Sequence, residues 1–293
     1  MYNTNLHIVT LIYIIIETFI IIFSTVIIIK ENKRFTQRFL ILSLLCIVYN
    51  LSNGLIPNNN IMVDIRSQYY FTFAIGVTTA SYLFYYIHEN HDLKIFNKEF
   101  VFKIIVGFVV WYMISFVSLY SFTNNLILSR YVFFFYPIAI SFYWFYKFKR
   151  WFKKIIPNNL THYKKLMIYT GVLAMLFLFV FPAILIGFEE NQWLERTIFN
   201  LSYFSVTFFF IKKIISERDI ITRINDNNYI LTKREKEVVL KVYENELKTY
   251  KDLSEDMNIS LSTFTTHTTK IYKVFNLSNK TKEGLIVFLK NLD

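Results

Sequence analysis

Between Ser260 and Phe275 the chain reads SLSTFTTHTTKIYKVF. At about 100° per residue, Ser262, Thr265, Thr266, Thr269 and Lys273 fall on one stripe of a helix, with Lys270 at its edge. Leu261, Phe264, Ile271 and Phe275 fall on the opposite side. Short hydroxyls and ammonium groups in a row can bond base edges and phosphates in a major groove. Any amphipathic surface helix has the same period, so the pattern alone does not select that chemistry. A second capable group is Glu17, the one acid deep within an apolar run. Burial of a carboxyl in hydrocarbon is costly, so it should face a bundle interior, protonated or paired. Two roles stand open for it: sensing a ligand or proton, or a structural contact to a hydroxyl or tyrosine of another helix. Enzyme chemistry finds little support. The apolar runs carry no paired acids, there is no His-rich zinc motif and no phosphate-cradling glycine loop, and the chain has six glycines in all. We read it as a non-enzyme with no cofactor and no metal.

The striped helix needs a scaffold, and its neighbours carry helix signals. Thr232 stands three residues before Glu235, the capping-box spacing, and Val238, Val239 and Val242 follow at helical spacing. The loop ENELK ends that helix; Thr249 and Asp252 repeat the box, and Leu253 and Met257 give the next short helix an apolar side. NIS is a turn, Ser260 caps the third helix to about Phe275, NLSN breaks it, and a fourth helix carries Leu285, Ile286 and Leu289. A short helix across a tight turn is what braces a groove-reading helix on a nucleic-acid backbone.

The rest is different in kind. The chain is 54% hydrophobic and 19% aromatic over 293 residues, and the apolar residues gather before residue 216. Seven segments read as membrane spans, at about 7–29, 37–56, 67–88, 101–122, 126–146, 166–188 and 196–215. Backbone hydrogen bonding in lipid requires each to be a helix. The N-terminus has no basic leader and an apolar run too long for a signal peptide, so it reads as a retained span. The formal charge of +11 resolves into +10 for residues 1–215, −1 for 216–230 and +2 for 231–293. The breaks KENKRFTQR, ENHDLKIFNKE and KFKRWFKKIIPNNLTHYKK, with the adjoining Lys103, hold 14 basic residues. The alternate breaks hold three, Arg66, Arg130 and Arg196, and the last also contains the acidic 189–191. The positive-inside rule puts the N-terminus outside and, after seven crossings, the tail inside. Pro137 and Pro182 lie within spans five and six as kinks or pivots. Tyr69, Tyr70, Tyr82, Tyr85, Tyr86, Trp111 and Tyr112 read as interface belts or core packing. His88 and His91 have no further ligands clustered near them, and the lone Cys46 reads as a small buried side chain.

The tail resembles the LuxR-type helix-turn-helix domain of bacterial transcription regulators. The resemblance rests on LTKREKEVV at 231–239, YKDLSEDMNIS at 250–260, STFTTHTTKIYKVFNLSNKT at 262–281 and EGLIVFL at 283–289. It implies a four-helix module whose third helix reads double-stranded DNA and whose fourth often pairs with a second copy, giving a homodimer through the C-terminal domain. It also implies Lys251, Thr263, Thr266, Lys270, Lys273 and Lys280 as DNA contacts. The chain departs from the family in a longer loop between the first two helices and in Thr265, which stands where Lys or Arg is common. His267 matches a family signature residue and lies at the border of the packing face, which favours packing over base contact.

The expectation is an all-α chain: a seven-helix transmembrane bundle over 1–215, a cytoplasmic linker over 216–230 and a small four-helix DNA-binding domain over 231–293. It reads as a one-component transcription regulator of a bacterial inner membrane, answering an unknown signal or ligand. The alternative is a membrane receptor or transporter-like protein whose tail is a protein-interaction module without DNA binding.

Overall fold

Every element of the computed structural model is a helix, and no strand occurs among the described residues. Those residues are 7–31, 33–58, 60–91, 93, 95–155, 162–187, 192–245 and 248–292. Parts of the expected breaks, including Lys94 and the acidic 189–191, lie outside them. The chain divides into two units, Met1–Phe209 and Phe210–Asp293.

The first unit holds α1 (Ile8–Glu31), α2 (Arg34–Leu55), α3 (Ile65–Asn90) and α4 (Lys98–Tyr112). A π-helical turn, Met113–Ser118, joins α4 to α5 (Leu119–Thr123) in one unbroken run; α6 (Leu126–Ile155), α7 (His162–Gly187) and the start of α8 (Gln192–Asp226) follow. The seven apolar segments expected from sequence each fall on one helical run, but α6 continues nine residues past the expected end at 146 and α8 eleven past 215. Six of these runs are long and apolar enough to cross a membrane: Ile8–Ile29, Arg34–Leu55, Lys98–Thr123, Leu126–Trp151, Lys164–Ile186 and Trp193–Asp226. Helix α3 is long enough but falls short in apolarity, because tyrosines, threonines and serines interrupt it. Large apolar side chains cover much of the outer surface, among them Ile12, Phe19, Ile29, Phe102, Phe122 and Phe135. In water such a surface would be unstable; in hydrocarbon it costs nothing. Inside, Phe116 is fully buried and stacks on Phe73 with ring centroids 3.9 Å apart. Tyr112 and Tyr86 are buried too, so these two tyrosines serve as core. Pro137 and Pro182 stand within α6 and α7, neither of which is interrupted.

The second unit begins at Phe210 within α8 and adds α9 (Lys233–Glu244), α10 (Tyr250–Asp256), α11 (Leu261–Val274) and α12 (Lys282–Lys290). Both expected capping boxes form: Thr232 with Glu235 and Thr249 with Asp252 each exchange side chain and backbone bonds. Ser260 caps α11 by accepting from Thr263 N–H, and Thr281 caps α12 through Gly284 N–H. Asn258 (φ 52°) and Asn276 (φ 49°) close α10 and α11 in the left-handed region, which Asn tolerates better than other side-chain-bearing residues. Val238, Val239, Leu253, Phe264, Ile271 and Leu285 make a dry core. Ile220 and Ile224 of α8 belong to it, so most of the stretch 216–230 is helix packed into this core.

One expected packing residue is misplaced. Leu261 is 45% exposed, while Thr268 and Tyr272 are buried in its stead. Leu261 is the first residue of α11 and overhangs the turn, beyond the reach of the helices that cover Phe264 and Ile271.

The Glu235 carboxyl is held below its ordinary range, chiefly by the backbone N–H of Thr232. Its contribution is therefore complete above the unfolded value of about 4.3 and is lost as pH falls through the folded value. We expect Glu235→Gln to lower tail stability by about 0.5–1 kcal/mol at pH 7. The difference from the parent should shrink toward zero near pH 3, as followed by thermal melts of the full chain in detergent.

Candidate functional site

Helix α11 turns the expected stripe of hydroxyls and lysines to its surface. Thr265, Thr266, Thr269, Lys270 and Lys273, with Leu261 and Ser262, line one shallow open groove. All eight candidates, Lys251, Thr263, Thr265, Thr266, Thr269, Lys270, Lys273 and Lys280, are exposed. Thr263 does not join the groove: its hydroxyl lies 2.8 Å from that of the cap Ser260. Lys251 stands in the first turn of α10, and Lys280 in the loop before α12.

Helices α10 and α11 are braced together. The hydroxyls of Tyr250 and Tyr272 bond each other, and the Tyr250 ring packs 5.3 Å from that of Phe264. The outward hydroxyls have a fixed polarity. Thr265 donates to Leu261 O at 2.9 Å, Thr266 to Ser262 O at 2.9 Å and Thr269 to Thr265 O at 2.8 Å. With their hydrogens turned to the helix, they offer the solvent lone pairs and methyl groups.

Charge is arranged rather than abundant. Asp256 pairs with Lys248 at 2.7 Å and Lys241 at 3.4 Å; burial pushes its carboxyl up, but the two lysines prevail and hold it below its usual range. Glu237 pairs with Arg234, and Glu244 with Lys213 of α8 at 2.8 Å. Burial of the Glu244 carboxyl opposes ionisation, yet Lys213 keeps it ionised below the ordinary value. Lys251, Lys270, Lys273 and Lys280 enter no ion pair among the described residues. His267 is half-buried with its Nδ1 lacking a partner among the described residues, and Lys270, then His267, stand near enough to Glu235 to add to the lowering of that carboxyl. On α12, Glu283, Val287 and Lys290 form the exposed side, with one apolar residue among them.

Glu17 is fully buried in the first unit. Its partner is an amide, not the hydroxyl or tyrosine expected: Asn50 Nδ2 donates to Glu17 Oε1 at 2.8 Å. Asn50 and Asn200 exchange amide bonds at 3.1 and 3.2 Å, and Asn200 also donates to Arg196 O at 2.9 Å. Arg196 in turn donates to Thr10 Oγ1 at 2.8 Å and to the carbonyl of Asn53. This chain of bonds joins α1, α2 and α8. It gives Glu17 one structural contact, through Oε1, while Oε2 is buried with no hydrogen-bond partner among the described residues.

The chain matches no family model, no curated protein and no solved structure.

The partner of Glu17 is not legible from sequence, because Asn50 lies 33 residues away and Asn200, which bonds Asn50, another 150 beyond. A polar residue inside an apolar run was the available signal at both positions. In sequence Arg130 and Arg196 read as loop charges, whereas both stand within helices and Arg196 is buried. His88 Nε2 lies 2.8 Å from Phe96 O, a structural contact.

Asn50→Leu strips Glu17 and Asn200 of a partner together and should cost about 1–3 kcal/mol. Glu17→Gln keeps an acceptor for Asn50 and should stay within about 1 kcal/mol of the parent. Thermal unfolding of both variants in one detergent compares them; equal losses would refute the structural role of the amide pair.

Proposed function

We propose that this chain is a membrane-bound one-component transcription regulator whose C-terminal unit binds double-stranded DNA through α11. The observation that carries the reading is the α11 face: a row of outward hydroxyls flanked by Lys270 and Lys273, which enter no ion pair among the described residues, on a helix braced by α10. The likeness of residues 231–289 to LuxR-type domains supports the same assignment. Threonines whose hydrogens are committed to the helix accept from adenine N6 and cytosine N4 amino groups, and their methyls suit thymine. Lys270 and Lys273 on the groove, with Lys251 at the start of α10 and Lys280 before α12, serve phosphates.

The reading takes α3 as a seventh crossing. From Ser67 to Ile87 the helix carries no charged residue. Thr72, Thr78 and Thr79 donate to carbonyls four residues back, and Gln68, Thr72, Thr79 and Ser81 are buried within the unit. Its polarity is spent inside, which suits a central span. Seven crossings with the basic breaks inside put the N-terminus outside and the tail in the cytoplasm of a bacterial cell, beside the chromosome. Two copies joined in the membrane or through their tails raise each other's effective concentration on paired half-sites.

A second reading has one observation in its favour. Leu261, an exposed apolar residue, stands among the groove hydroxyls and would suit a protein partner.

Titrating full-length protein in nanodiscs with sequences selected from a random DNA pool, across salt concentrations, tests DNA binding. Lys270→Ala and Lys273→Ala should each weaken binding to every sequence and flatten the log–log salt slope by about one. Thr266→Val should shift base preference and leave the slope unchanged. A chain that selects no sequence and shows no salt dependence leaves the protein-interaction reading in place. Topology is tested separately with alkaline phosphatase or a fluorescent protein fused after Asp293. Fluorescence without phosphatase activity is expected, and the reverse would remove the regulator.

A further inference from the structure

The first unit holds a partly open cavity of about 220 Å³, lined by α3, α4, α6 and α7 with a few residues from α2 and α8. A buried apolar hole of about 150 Å³ already accepts benzene, so this space admits a molecule of more than one ring. Its walls run from Arg130 to Ile140 on α6 and from Tyr69 to Phe84 on α3. At 1.5 Å per residue these stretches are about 15 and 22 Å long, so the space is elongated along the helices. Phe73, Phe108, Phe133 and Phe134 form its wall toward the π-helical turn. Pro137 and Pro182 both line it. A proline lacks the N–H that would tie it to the previous turn, so α6 and α7 are least constrained where they border the space.

Two polar groups on this lining are left over. Arg130 Nε is buried and finds no acceptor among the described residues. Ser81 Oγ, on a residue only 8% exposed, is likewise buried without a partner among them. A buried guanidinium nitrogen without an acceptor is costly, and a ligand oxygen would relieve it. Glu195 is the one acid on the lining and acts electrostatically on its neighbour Arg196. Arg130 stands near the start of α6, at the end where α2 stops and α3 and α8 begin. The geometry points to a binding site for a slender amphipathic carboxylate, its head on Arg130 and its apolar body between the phenylalanines, toward Ser81. As a binding site it is independent of DNA recognition; as the signal site of the regulator it rests on that reading.

The test uses the full chain in nanodiscs of zwitterionic lipid and octanoate as the probe, with octan-1-ol and octylamine as neutral and cationic counterparts of equal length. Calorimetric titration should show saturable octanoate binding, tighter than either counterpart. Arg130→Gln should weaken octanoate by about tenfold or more and leave octanol unchanged. Arg130→Lys should retain most of the octanoate affinity. Ala80→Phe, which fills the space from α3, should abolish binding of all three; its elution profile and circular dichroism report whether it folds. The assignment fails if octanoate does not saturate, if Arg130→Gln binds it as the parent does, or if octylamine binds more tightly. Since no DNA is present, loss of DNA binding in the earlier titration would leave this site standing, and loss of octanoate binding would leave DNA recognition standing.

Discussion

A backbone or side-chain polar group in hydrocarbon has no water to fall back on, and the whole first unit is organised by that constraint. Serines and threonines turn their hydroxyls onto carbonyls of their own helix, as Thr18, Thr25, Ser43 and Thr207 do. Groups that cannot be satisfied locally pair across helices. Asn50 and Asn200 exchange amide bonds, Tyr203 bonds Ser43 at 2.8 Å, and Tyr13 bonds Thr197 at 2.9 Å. Apolar packing between lipid-facing helices has little net driving force, because lipid is as apolar as the partner helix. Polar pairs of this kind fix which helix meets which.

The second unit answers to water. Its core is aliphatic and aromatic, and the ends of its short helices are closed by Thr232, Thr249, Ser260 and Thr281. Helices of seven to fourteen residues are marginal alone. They hold because caps and a shared core act together, and the core takes in Ile220 and Ile224 from α8. Lys213 and Glu244 add a largely buried pair, each side chain keeping some exposure, between α8 and the end of α9. Removing either partner leaves a buried charge to its weaker contacts, Glu217 for the lysine at 3.7 Å.

What was legible in the sequence follows the range of the interactions. Caps are local, so Thr232 with Glu235 and Thr249 with Asp252 could be read from spacing three residues apart. Apolar runs are local too, and each became a helix. The packing face of α11 was read correctly at Phe264, Ile271 and Phe275 but not at Leu261, because angle alone does not say where the covering helices stop. The polar residues of α3 bond partly within the helix, as Thr72 and Thr78 do, and partly to other helices, as Tyr70 and Tyr82 do, and spacing along the sequence does not tell these apart. The π-helical turn at Met113–Ser118 has no proline or glycine to announce it. Arg130 looked like a loop charge because a cavity is a property of several helices at once.

The same distinction between quantity and placement governs the tail's electrostatics. A net charge of +2 over residues 231–293 would suggest indifference to a polyanion. The sum conceals a separation. Glu235 and Asp252 are consumed by caps, Glu237, Glu244 and Asp256 by basic partners away from the α11 groove. Each of those pairings cancels a field locally, within a distance shorter than the roughly 8 Å Debye length of physiological salt. Lys270 and Lys273 are left out of every ion pair among the described residues. A phosphate approaching the α11 groove meets these two ammonium groups, whatever the sum over the whole unit says.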